Sequence, residues 1–240
     1  MGDFLPARAD GPPRSVAEIR RERMALNPHP NLKDKAATYL RDEILTGGLR
    51  AGEKIDQEEL ADRLGMSRLP VREALIELAQ ENLVDWIPRR GSFVAEFTED
   101  DILDLYAIQG AVAGIAARRA AERITDEATK NLVAAHEEYK RSDDRIAQAD
   151  IGFAFHQIIL DAGASNRVLS VLRLLYRSLP IDFLEATPTW KDQTLHHQAQ
   201  IIAAMQAHDG DAAAAAFAGL FADSGRITIG LLRARGLWAD

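Results

Sequence analysis

Two short helical patterns joined by only three residues constrain this chain most. Asp56 and Glu59 form a D-x-x-E start signal, and Leu60, Ala61 and Leu64 follow at helical spacing. Gly65 suits the left-handed residue that ends such a helix, and Ser67 is placed to cap the next one. Val71, Ala74, Leu75, Leu78 and Ala79 then make one apolar stripe. A joint as short as Gly65–Ser67 forces a steep angle between the helices, which is the geometry of a helix-turn-helix. Upstream, Leu32, Ala36, Leu40 and Ile44 predict a further helix that Gly47-Gly48 stops. Leu49–Ile55 reads as a turn. Downstream, Leu83–Ile87, a turn over Pro88–Gly91, and Ser92–Val94 read as a small β-hairpin. Residues 31–97 are therefore predicted to be a winged helix-turn-helix of three helices plus a hairpin.

From Thr98 onward the pattern is helical throughout. Helices are predicted from Thr98 to about Arg123, Thr125 to Lys140, Asp144 to Asp161, Asn166 to Leu179, Thr189 to Ala207 and Asp211 to Arg233. Residues 98–240 thus read as an all-α bundle of six to seven helices, and the chain as mainly α. Residues 1–30 hold five of the nine prolines and little apolar periodicity, so they read as a flexible arm with a short helix near Ser15–Leu26. Arg20, Arg21 and Arg23 in that helix are either solvated or laid along a polyanion.

Composition excludes several classes. With no cysteine there is no disulfide, thiolate nucleophile or Cys-based zinc site. The sequence shows no G-x-S-x-G, phosphate-binding glycine loop or H-E-x-x-H, so nothing points to an enzyme. No signal peptide and no apolar run near the roughly 20 residues of a membrane span is visible, which makes the cytoplasm the expected compartment and a membrane partner unexpected. The net charge of −8 is spread over both halves: residues 1–97 carry 15 basic and 17 acidic side chains, and residues 98–240 carry 14 and 20. Any phosphate-binding surface must be a local cluster on an acidic body.

One such cluster lies at the start of the third helix. Ser67, Arg68 and Arg72 sit where free N–H groups and the positive end of the helix dipole favour phosphate. Arg68 and Arg72 are four residues apart and share a face opposite Val71, Leu75 and Leu78, which suits bidentate contacts to guanine or phosphate. Pro70 falls in the first turn, where its missing N–H costs nothing. At the hairpin tip, Arg89-Arg90-Gly91 combines two cations with a residue that lets the backbone approach a groove. Taken alone, those two arginines also read as solvated turn residues.

The run E-L-A-D-R-L-G-M-S-R-L-P-V-R-E-A-L-I-E-L, then L-V, then R-R-G-S-F-V resembles the winged helix-turn-helix of GntR-family repressors over about 65 residues. That resemblance implies DNA contacts by Ser67, Arg68, Arg72 and the Arg90-Gly91 tip, and Leu69 and Arg89 complete the set. Leu69 stands where the family usually has threonine, and Glu58 where some relatives have arginine.

The second half is similar to the FCD-type sensor domain of the FadR-like branch, through Asp104-Leu-Tyr106, Phe155-His156, Asn166 and His196-His197. The resemblance implies a homodimer on operator DNA, repressing until a small metabolite, an organic acid, releases it. It also implies a divalent metal such as Zn or Ni, held by one aspartate and three histidines. Here Gly152 occupies the aspartate position, and Gln109 and Ala113 replace an arginine and a glutamate of the first helix. The remaining candidates for metal ligands are His156, His197, Asp150 and Asp223. The alternatives are a metal-free effector pocket lined by Gln109, His156, Asn166, Arg173 and His197, or a bundle that binds no ligand.

Overall fold

The structure, a computed structural model of the chain, describes residues 12–26, 31–177 and 189–238. Much of the expected arm and the expected end of the fourth bundle helix at Leu179 lie outside the described residues. The chain divides into two compact units, Asn27–Ile102 with Ile229–Asp240, and Met1–Leu26 with Leu103–Thr228.

The first unit is the winged head. Helix α2 (Leu32–Leu45) starts at Asn31, whose side chain accepts from the Asp34 N–H. Helix α3 (Gln57–Leu64) starts at Asp56, whose carboxylate takes the Glu58 and Glu59 N–H groups, and it ends at Gly65 with φ 63°. Those two hydrogen bonds hold the Asp56 carboxyl below its ordinary pKa. Helix α4 (Arg68–Gln80) buries Val71, Ala74, Leu75 and Leu78 against α2 and α3. Strands β2 (Val84–Ile87) and β3 (Gly91–Val94) form the wing, with Trp86 opposite Ser92.

One element differs from expectation: Leu49–Ile55, read as a turn, contributes the two-residue strand β1 (Lys54–Ile55), which pairs with β3 to give the sheet order β1-β3-β2. Ile55 is buried, and its burial selects the strand. Beneath the head core, Arg41 of α2 makes a bidentate pair with Glu81 at the end of α4, with Nε–Oε2 3.0 Å and Nη2–Oε1 2.8 Å. The chain's last segment belongs to this unit too. Trp238 donates its indole N–H to the Phe97 carbonyl (2.8 Å) and packs edge-on against the Phe97 ring, and Arg233 pairs with Glu99. Leu237 and Trp238, with Ile44, Leu49, Val94 and Phe97, line an apolar cleft of about 340 Å³.

The second unit is helical. It contains α1 (Val16–Leu26), most of α5 (Glu99–Arg123), α6 (Asp126–Arg141), α7 (Arg145–Gly163), α8 (Asn166–Arg177), α9 (Trp190–Gln206) and most of α10 (Gly210–Ala234). Thr125 caps α6 and Asp144 caps α7, as the sequence predicts. Gly163 lets α7 pass against α5, because a methyl group there would overlap the Ala116 carbonyl.

The expectation of a flexible arm fails for residues 14–23, which are fixed to this unit. Ser15 and Glu18 form a reciprocal capping box, Ile19 is fully buried, and Arg14 reaches Asp161 and Glu22. Arg20 pairs with Glu138 (3.2 Å), and Arg23 pairs with Asp150 (2.9 Å) and lies over the Phe153 ring. Two of the arginines that might have faced a polyanion are thus spent inside the fold. A second correction concerns α10. Among the described helices it alone has the length and composition to cross a bilayer, although the sequence suggested no such stretch. Its apolar side chains Ala213, Phe217, Leu220 and Phe221 are buried in the bundle instead.

Candidate nucleic-acid interface and sensor site

The exposed face of α4 is built by packing. Because Val71, Leu75 and Leu78 are sunk in the core, Arg68, Leu69 and Arg72 are turned to solvent, and Leu69 is 63% exposed. Ser67 occupies the N-cap position, but its side chain makes no capping hydrogen bond. Its hydroxyl and the first N–H groups of α4 are left for an outside acceptor. Arg68 is paired with Glu58 at the start of α3, both side chains being exposed. Glu58, which in sequence looked like a lost contact, is therefore an internal competitor for the arginine.

At the wing, Arg89 adopts φ 65° and Gly91 φ 108°, so the turn is closed by two left-handed residues. Arg89 and Arg90 are exposed, and Arg90 reaches back over the Phe93 ring at 5.6 Å. Lys54 is a further cation that sequence reasoning missed. It is exposed on β1, and its Cε lies 3.6 Å from where a Cβ on Gly91 would stand. The signal was hidden because strand pairing, not spacing, brings residue 54 to the wing tip.

In the bundle the predicted ligand residues separate. Asp150 is held by Arg23 and, at 3.9 Å, by Arg20. His197 donates its Nε2–H to Asp223 (2.7 Å), which also takes Arg226. Burial pushes the Asp223 carboxyl up, but those hydrogen bonds outweigh it and leave the pKa below the ordinary value. His156 lies elsewhere, 5.5 Å from the Phe217 ring and 6.5 Å from Phe221. Phe217 and Phe221 share one face of α10. Gly219, which touches His197, and Asp223 lie about 200° around the helix at 100° per residue. The two imidazoles approach α10 from nearly opposite sides.

Among the described residues no three His, Asp or Glu side chains are placed to share an ion. The donor set present does not fit the metal that the resemblance implies, since zinc and nickel sites need three or four convergent ligands. Gln109 is buried and donates to the Leu175 carbonyl (2.9 Å), so it acts as a strut between α5 and α8. Asn166 is exposed at the start of α8, its carbonyl taken by Ser170, and Arg173 already has a partner.

A winged head with an outward arginine pair, followed by a helical bundle, is an arrangement found in known proteins. The family model described as "Bacterial regulatory proteins, gntR family" matches residues 32–94, and the FCD domain model matches residues 104–223. The HTH-type transcriptional repressor RspR of Escherichia coli is 30% identical over 203 residues, covering 78% of this chain and 84% of RspR. The chain belongs to the gntR family of bacterial regulatory proteins. As a GntR-family regulator it carries a DNA-binding winged helix-turn-helix and an FCD domain. An uncharacterized HTH-type transcriptional regulator of Mycobacterium tuberculosis is 29% identical over 187 residues, covering 78% of this chain and 77% of that protein. In fold, this regulator is similar to E. coli McbR/YncC, with TM-score 0.58 and 20% identity over 84% of this chain and 99% of that one. Helix α1 lies outside both domain matches.

Proposed function

We propose that this regulator is a homodimeric repressor that holds operator DNA through α4 and the wing and is released by a small molecule bound in the helical unit. The observation that carries the reading is the outward pair Arg68 and Arg72 on a helix whose opposite face is fully buried. Ser67, Leu69 and the first turn of α4 would enter the major groove, with Arg89, Arg90 and Gly91 beside the phosphate edge. The name of RspR supports repression as the sign. Apolar side chains left open on α5 (Ile108, Ile115) and α8 (Val171, Leu174) support a second copy as the partner of the bundle. Two heads would then read half-sites about 34 Å apart if one turn separates them. A ligand can release the operator only by binding the DNA-incompetent arrangement more tightly. The cytoplasm is the compartment in which such a regulator works.

The test is operator binding by Arg68→Ala and Arg72→Ala. Each substitution is expected to cost about 1–3 kcal/mol if the side chain meets a base. A double variant that binds the operator as tightly as the parent removes the proposed reading head.

A further inference from the structure

The outer face of the wing sheet is electrically lopsided. Strand register places Lys54 of β1 and Asp85 of β2 on either side of Phe93 of β3, and directly opposite residues share one face of a sheet. Ile55, Ser92, Val84 and Val94 belong to the other face and are buried. Lys54 and Asp85 are exposed, and the Phe93 between them is half-buried. The sheet therefore shows a cation along its β1 edge and an anion along its β2 edge. At the turn, Arg90 lies over the Phe93 ring, and the end of the Lys54 stem passes beside Gly91. The cation of the turn and the cation of the strand thus stand beside one ring.

The β1 edge also leads toward α4. Strand β1 runs directly into Asp56, the cap of α3. The Asp56 carboxyl is held down first by the Glu59 and Glu58 N–H groups, and the charges of Lys54 and Arg68 lower it further. One carboxylate is thus within electrostatic reach of both the β1 cation and the first residue of α4. Arg68 is held by Glu58, whereas Lys54 has no salt-bridge partner among the described residues. On a chain of net charge −8, Lys54 links two exposed basic places, the start of α4 and the wing turn.

We propose that Lys54 takes a backbone phosphate of the operator at the β1 edge of the sheet, while Asp85 keeps the β2 edge turned away from the duplex. An ammonium is a compact point charge without a bidentate fork, so this contact positions the head and carries no sequence preference. The polarity of the sheet sets which side of the wing faces DNA. This deepens the DNA-binding reading above and rests on it, adding a contact from outside both α4 and the wing turn.

The experiment follows DNA affinity of the full-length protein by fluorescence anisotropy over a salt series. The probes are a duplex selected by the parent protein from a random-sequence pool and a scrambled duplex of the same length. The variants are Lys54→Met, Lys54→Arg and Asp85→Asn, with the Arg68→Ala/Arg72→Ala double variant as reference. Each neutralised phosphate adds about 0.9 to the slope of log affinity against log salt, so Lys54→Met should lower the slope by about 1.8 for a two-headed protein. Between about 50 and 200 mM salt the parent should then lose roughly twelvefold more affinity than the variant. Lys54→Met should weaken both duplexes alike and melt with the parent, since the side chain is exposed. Lys54→Arg should keep the parent's slope, and Asp85→Asn should leave it unchanged. A slope that Lys54→Met does not lower, or a loss confined to the selected duplex, overturns the proposal. So does an Asp85→Asn change as large as that of Lys54→Met, because it would mark a general charge effect rather than a contact. A lowered slope for Lys54→Met beside a double variant that binds the selected duplex as tightly as the parent supports the phosphate contact and overturns the reading helix instead.

Discussion

If Arg68 contacts the operator as proposed, Glu58 competes with the DNA for it, because the two side chains are paired in the free head. Replacing Glu58 by Gln keeps the size and shape of the side chain and removes the charge that holds Arg68. Both partners are 65% exposed, so the pair is worth about 0.2–1 kcal/mol in solution. DNA must displace that contact before Arg68 can reach a base or phosphate. Glu58→Gln is therefore expected to tighten operator binding by about 1.4- to 5-fold at moderate salt. The gain should grow as salt is lowered, because Glu58 also repels the phosphate backbone over a Debye length that lengthens from about 10 Å at 0.1 M to about 30 Å at 0.01 M. Fluorescence anisotropy with an operator duplex over a salt series measures both effects. Arg68→Ala supplies the second edge of a double-mutant cycle: in that background the part of the gain that comes from releasing Arg68 should vanish, leaving only the relief of Glu58–phosphate repulsion. A Glu58→Gln protein that binds no tighter at any salt, or gains as much without Arg68, refutes the masking argument.

Breaking the pair under the head by Arg41→Met should cost about 3–5 kcal/mol in thermal or urea unfolding of the head, since it takes the guanidinium away from the nearly inaccessible Glu81 carboxylate; Arg41→Met with Glu81→Leu should recover most of that loss. The bundle should lose stability in acid through His156. Its folded pKa of about 4 lies below the ordinary 6.5, so the unfolded chain takes up the proton first. The stability present above pH 6.5 declines as pH falls toward 4, by about 3 kcal/mol in all, and His156→Phe should flatten that slope in pH-dependent melting. Ile19→Ala should cost the bundle about 2–5 kcal/mol, measured by thermal unfolding, while leaving operator affinity unchanged; a loss below 0.5 kcal/mol would mean that α1 is not part of that core.

Local signals made most of this fold legible. Asp56, Thr125 and Asp144 announce helix starts because a short acceptor side chain does the same work wherever it precedes a helix, and Gly65 announces an end for the same reason. The outward placement of Arg68 and Arg72 followed from the 3.6-residue period alone. What escaped was decided by partners far along the chain. Arg14 meets Asp161 across 147 residues, and no property of the segment around Arg14 distinguishes it from a solvated tail. Asp150 looked like a ligand because it lay near His156 in sequence. Its partner is Arg23, 127 residues earlier. Lys54 needed β1, a strand too short to carry a periodic pattern. The separation of His156 from His197 depended on which face of α10 each meets, a matter of packing that spacing within α7 or α9 does not encode.

The union of the chain's last residues with the head sets a limit on how this regulator can be taken apart. A fragment cut after the wing would carry every side chain proposed to touch DNA, yet it would lack Arg233, Leu237 and Trp238. The Phe97 carbonyl would lose its indole donor, and Ile44, Leu49 and Val94 would be opened to water along a cleft. Such a fragment should be sticky and easily unfolded, and weak operator binding by it would report a missing lid rather than a wrong reading helix. A head meant to be grafted onto another sensor must take its distant carboxy-terminal segment with it, so modularity here follows contact in space, not order in sequence.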